Sequence, residues 1–239
     1  MKTAWPFLCF IVFLGLTGFD CLCQSPQGGE PVAGKRIDFT DPLSLQERQP
    51  LLIAHRGGVV TAEAPECSLA AIRLAAQRGY AMVELDVQSS RDHVPIVFHD
   101  ETMTEACGME GRIRDHTAQE LAAINLLKSD STEKSEQRIC TLEQAFTLCE
   151  ELNLGIMLDL KEEGDESYYR QIAEGLERHH LTRSTVTITT GPNVEKYLRE
   201  KTIFRISEDE VWKVNYQKPV YVKGKMWFGW PRHITNDMV

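Results

Sequence analysis

Residues 81–100 read AMVELDVQSSRDHVPIVFHD, and with LLIAHRGG at residues 51–58 they decide the fold. Three apolar runs, Leu51–Ala54, Ala81–Val83 and Val94–Phe98, read as buried strands. Each stops at polar residues: His55-Arg56-Gly57, Glu84-Leu85-Asp86 and His99-Asp100. A fourth run, Gly155–Leu158, stops at Asp159-Leu160-Lys161. One polar strand end carries little information. Four of them gather two histidines, an arginine, a lysine and the carboxylates of Glu84, Asp86 and Asp159 at one end of what reads as a parallel barrel.

Between the strands lie helical patterns. Ser68 to Arg78 carries Leu69, Ile72 and Ala76 at helical spacing, with Gly79 where a helix-terminating glycine belongs. Thr117-Ala-Gln-Glu120 and Thr141-Leu-Glu-Gln144 are capping boxes, the second opening a helix through Leu152. Tyr168–Arg178 and Val194–Arg199 are further helices; Thr185–Thr190, Thr202–Ile206 and Met226–Trp230 are further strands. Strands alternating with helices imply a parallel sheet with right-handed crossovers. Only Ser89 to His93 separates two strands, too few residues for a helix, so a hairpin-like connection is expected there. Lys128 to Arg138 is polar and reads as a surface loop.

Glu84 and Asp86 stand two apart on a strand, so their side chains point the same way. Carboxylates so placed repel unless a cation lies between them. Hard oxygen donors without cysteine favour Mg²⁺ or Ca²⁺ over zinc, with Asp159 as a third ligand. His55 and His99 suit general acid–base work near neutral pH, one taking a proton from a nucleophile and the other giving one to a leaving alkoxide. Arg56 and Lys161 can clamp a phosphate, and Gly57-Gly58 lets backbone approach a ligand closely. His93, His116, His179, His180 and His233 sit in polar stretches and read as solvated. Trp227 and Trp230 read equally as core or as the lining of an apolar pocket.

The net charge of −9 argues against nucleic acid as a partner. Lys2 followed by the uncharged apolar run Phe7–Gly18 reads as a signal peptide over residues 1–23, cleaved after Cys23. That run is too short for a membrane span, which needs about 20 residues, so no stable span is expected after cleavage. The protein is then secreted or periplasmic. Residues 24–49 read as a flexible leader and 50–239 as the catalytic domain. Cys67, Cys107, Cys140 and Cys149 match no zinc pattern and are expected to be mostly buried thiols, with one disulfide open.

At Ala54-His55-Arg56-Gly57, Ala64-Pro65-Glu66, Val83-Glu84-Leu85-Asp86-Val87 and Val97-Phe98-His99-Asp100 the chain resembles the glycerophosphodiester phosphodiesterase family. The resemblance runs from Leu51 to about Pro192. It implies an α/β fold, a TIM-type (β/α)8 barrel of the phospholipase-C-like (PLC-like) phosphodiesterase kind. It also implies metal-dependent hydrolysis of a small-molecule glycerophosphodiester to sn-glycerol 3-phosphate and an alcohol. His55 and His99 would be the acid and base; Glu84, Asp86 and Asp159 would hold Ca²⁺ or Mg²⁺; Arg56, Glu66 and Lys161 would contact or organise the substrate.

The pattern departs from the family in three places. Cys67-Ser68 stands where the family writes Asn followed by Thr or Ser, and Asp159 stands where Glu is common. The family's late strand motifs are missing, Thr235 to Val239 reads as one turn of a helix that stops, and Leu51 to Val239 falls short of the roughly 250 residues of a full barrel. A C-terminally truncated domain is therefore expected. Two other readings stay open: an inactive truncated barrel acting as a binding protein, and a phospholipase D-like relative acting on lipids.

Overall fold

A computed structural model of the chain describes residues 35–41, 43–44, 51–58, 61, 63–126, 135–161, 164–189, 191–202 and 204–205. The expected signal peptide, the Met226–Trp230 strand, the terminal helical turn, Trp227, Trp230 and His233 lie outside the described residues.

The strands and helices follow in the order β1 (Ile53–Ala54), α1 (Leu69–Gln77), β2 (Met82–Ser89), β3 (Pro95–Val97), α2 (Thr104–Cys107), α3 (Ala118–Leu121) and β4 (Cys140–Thr141). They continue through α4 (Leu142–Glu151), β5 (Gly155–Leu160), α5 (Glu166–Arg178), β6 (Thr185–Thr187), α6 (Pro192–Leu198) and β7 (Phe204–Arg205). Strands β1, β2, β5, β6 and β7 are parallel neighbours in chain order, the wall of a TIM-type barrel. β3 and β4 form an antiparallel flap on the upper part of β2. β1 pairs at Met82 and Val83, β3 at Val87 to Ser89, and β5 takes the opposite edge.

Alternation sorts the strand residues. Val83, Leu85, Val87, Ile156 and Leu158 face outward onto Ile72, Phe146, Tyr168 and Ile172 of the helices. Met82, Met157 and Val186 face inward and form the barrel floor with Ile37 and Phe39. Residues 35–41, which the sequence assigns to a flexible leader, thus close the floor: Ile37 is buried and Phe39 N–H donates to Arg183 O at 2.9 Å. Two greasy side chains in an otherwise polar stretch are the signal for this.

The two predicted capping boxes form, Thr117 with Glu120 and Thr141 with Gln144, and Ser68 Oγ adds a further cap by accepting from Ala71 N–H, each such cap contributing about 1 kcal/mol. The strands run further than their apolar runs indicate. β2 continues to Ser89 and β5 to Leu160, so Glu84, Asp86 and Asp159 lie within strands, because neighbours on both edges keep the ladder going. Within the Lys128–Arg138 stretch, residues 135–137 form a 3-10 turn and the buried Gln137 donates its amide to Glu63 O at 2.6 Å.

His179 is not solvated. It caps α5, is only 9% exposed, and meets Glu150 at 2.8 Å through Nδ1 and Glu143 at 3.0 Å through Nε2. Burial opposes the imidazolium, but the hydrogen bonds to Glu143 and Glu150 outweigh it and raise the pKa. The resulting stabilisation is present below the unfolded value of about 6.5 and is lost as pH rises through the raised folded value. Wild-type protein should therefore lose more unfolding free energy between pH 6 and 9 than His179→Gln does. Urea unfolding at both pH values tests this; equal losses in the two proteins contradict it.

Candidate active site

The upper inner face of the barrel turns from apolar to acidic. Asp86 on β2 and Asp159 on β5 are register partners, side by side on adjacent parallel strands, and Glu84 sits one inward step lower. Carboxylate oxygens from all three lie within 4.8 Å of one another. Glu84 and Asp86 are buried, at 2% and 0% exposure.

Each acid is held differently. The turn after β1 puts Arg56 in the left-handed region (φ 54°), which aims its N–H at Glu84 Oε2, 2.7 Å away. Burial, followed by repulsion from Asp86 and Asp159, drives the Glu84 pKa well up against that bond. Asp86 has Lys161 Nζ 2.9 Å from Oδ1, off the hydrogen-bonding direction, and neither of its oxygens accepts a well-directed hydrogen bond. Asp159 is gripped at both ends, by Lys161 Nζ at 2.5 Å on Oδ2 and by Thr189 Oγ1 at 3.1 Å on Oδ1. Three hard oxygen donors, one with unfilled buried lone pairs, fit a hard divalent cation.

His55 stands beside the acids. His55 Nε2 is 3.9 Å from Glu84 Oε2. Burial holds the His55 pKa below its ordinary value; Asp86 opposes this, and Arg56, His99 and Lys161 reinforce it. His99 follows β3, and its Nδ1 lies 2.8 Å from Asp100 Oδ1. The backbone on both sides of His99 is fixed by one buried amide: Gln88 Nε2 donates to Phe98 O at 3.0 Å and to Asp100 O at 2.8 Å. Arg56 Nη1 meets Glu66 Oε2 at 3.1 Å. Beside them opens a cavity of about 250 Å³ lined in part by Arg56, Glu66, Asp100 and Glu105.

The fold therefore gathers all eight residues that the sequence singles out: His55, Arg56, Glu66, Glu84, Asp86, His99, Asp159 and Lys161. One local expectation changes. Gly57 and Gly58 serve the chain's own packing: a Cβ at Gly58 would lie 2.0 Å from Ala71 O, and one at Gly57 3.0 Å from Cys67 Cα. Cys67 itself has φ 59°, a left-handed conformation that suits the family's Asn better than Cys. The four described cysteines are free and buried.

Sequence reading missed Gln88 and Thr189. Gln88 continues the inward phase of Glu84 and Asp86, which was the available signal; Thr189 lies two residues past β6, and no local pattern marks it.

Comparison with known proteins identifies the family. The profile of the glycerophosphoryl diester phosphodiesterase family matches residues 55–220. The chain belongs to that family. It is 40% identical over 138 residues to mouse glycerophosphodiester phosphodiesterase 1, a match covering 57% of this chain and 40% of that protein. It is 32% identical over 111 residues to glycerophosphodiester phosphodiesterase of Caldanaerobacter subterraneus, covering 46% of this chain and 45% of the relative. The matched stretch thus spans less than half of either relative. Among solved structures, glycerophosphodiester phosphodiesterase from Agrobacterium tumefaciens superposes with a TM-score of 0.56 at 19% identity, covering 72% of this chain and 80% of that one. The corresponding domain of a Mycobacterium tuberculosis protein gives 0.55 at 22%, covering 71% and 66%. These structures share the fold.

Lys161 is the only ion-pair partner of Asp86 among the described residues. Lys161→Met should lower stability in chelator by up to about 3 kcal/mol, since it strips a buried carboxylate of its counter-charge. Added Ca²⁺ or Mg²⁺ should raise the melting temperature more in this variant than in wild type. An unchanged melting temperature in chelator contradicts the arrangement.

Proposed function

We propose that this chain hydrolyses glycerophosphodiesters to sn-glycerol 3-phosphate and an alcohol, with residues 50–239 as the domain responsible. The observation that carries the reading is the Glu84–Asp86–Asp159 cluster with His55 beside Glu84 and with His99 near enough to His55 to act on its charge. Family membership supports it. Glu84, Asp86 and Asp159 would hold a divalent cation, Ca²⁺ or Mg²⁺, which supplies charge neutralisation and polarisation at the phosphoryl oxygens.

His55, with its lowered pKa, is neutral near pH 7 and takes a proton from the attacking water or from the substrate's own glycerol hydroxyl. His99 has Nδ1 engaged by Asp100, which leaves Nε2 to protonate the departing alkoxide. Water is consumed, one P–O bond breaks and one forms, and the alcohol leaves with the proton from His99. Arg56, steadied by Glu66, and Lys161 offer donors to the phosphate oxygens. The −9 charge makes this local set of cations, rather than long-range attraction, responsible for drawing in an anion. The Lys2-to-Cys23 pattern supports export, so the reaction belongs in a secreted or periplasmic setting in this reading. Among the described residues no helix is long and apolar enough to cross a membrane.

His55→Ala and His99→Ala should each lower glycerophosphocholine hydrolysis by about 100-fold or more without shifting the melting temperature. A chelator should abolish turnover, and Ca²⁺ or Mg²⁺ should restore it. Near-normal turnover of either histidine variant contradicts the assignment.

A further inference from the structure

Granted the cation site proposed above, we infer that Thr189 is a positioning residue for the ligand Asp159. The inference begins with a hydroxyl that has little freedom. Leu160 N–H donates to Thr189 Oγ1 at 2.6 Å, so the oxygen is fixed by backbone and its proton must point elsewhere. Two acceptors are in reach: Asp159 Oδ1 at 3.1 Å and Leu160 O at 3.3 Å. The carboxylate oxygen is nearer and charged, and bonds to ionised acceptors are roughly twice as strong as neutral ones.

The consequence falls on the other oxygen of Asp159. Oδ2 is the one that shares Lys161 Nζ with Asp86, so it is the oxygen turned toward the acid cluster. With Oδ1 tied to Thr189, the carboxylate cannot rotate to exchange its two oxygens without breaking a bond. Asp159 has one methylene less than Glu and cannot recover reach by bending its stem. Its orientation must come from outside, and Thr189, on the stretch following β6, supplies it. Partners of this kind commonly change metal affinity 10- to 100-fold when removed. Lys161 holds the same carboxylate, but as a cation it competes with a bound metal, whereas the neutral Thr189 hydroxyl does not.

Calorimetric titration of Ca²⁺ and of Mg²⁺ into the cation-stripped full chain tests the role. Thr189→Val and Thr189→Ala delete the hydroxyl; Thr189→Ser keeps it. The two deletions should weaken cation binding about 10-fold or more, while Thr189→Ser stays within about 3-fold of wild type and the melting temperatures of the cation-free proteins stay close together. Wild-type affinity in either deletion overturns the inference and leaves the cation site standing. Equal weakening in Thr189→Ser also overturns it, since the methyl rather than the hydroxyl would then matter. A wild-type chain that binds neither cation overturns the site and the inference together.

Discussion

Like-charge repulsion inside a barrel is the constraint from which the rest of this structure follows. Asp86 and Asp159 are register partners on adjacent parallel strands, and Glu84 shares their face. Two of the three are buried. Such a cluster cannot be fully ionised without positive charge close by. The surroundings answer in kind: Lys161 bridges the two aspartates, the Arg56 N–H turns toward Glu84, and Thr189 ties the outer oxygen of Asp159. A parallel sheet suits the task because side chains in register stand one strand spacing apart, about 4.8 Å. That is near enough to share a cation and too near to coexist as bare charges.

The scaffold isolates this cost from the fold. Below the acids the same inward face is Met82, Met157 and Val186, sealed by Ile37 and Phe39. Outward, an apolar layer of β2 and β5 packs against four helices. Stability is thus drawn from the floor and the outer layer, and the mouth is free to hold polar groups. The antiparallel flap of β3 and β4, on the edge of β2 away from β5, leads into His99, and Gln88 fixes the backbone on both sides of that residue. His55 arrives from β1 and stands beside Glu84, so the two imidazoles come from different strands.

Much of this was legible in the residues, for a definable reason. Strand phase is local, so Glu84 and Asp86 could be placed on one face from their spacing. Helix caps are local too, and the Thr117 and Thr141 boxes close as their sequences indicate. Register between strands is not local: that Asp159 pairs with Asp86 rather than with Glu84 depends on how β5 slides along β2. The errors have the same origin. His179 looked solvated because Glu143 and Glu150 reach it from another helix, and the Gly57-Gly58 pair looked like a ligand approach because its neighbours Cys67 and Ala71 are brought in by α1. Ile37 and Phe39 were hidden in a stretch whose composition reads as leader.

The central claim is that Glu84, Asp86 and Asp159 form one cation site. Crystals of the chain soaked in Mn²⁺, read by anomalous scattering, test it most directly. A single strong peak should appear among the three carboxylates, with Lys161 Nζ withdrawn from between Asp86 and Asp159. No peak at saturating Mn²⁺, or a peak bound away from these acids, would contradict it.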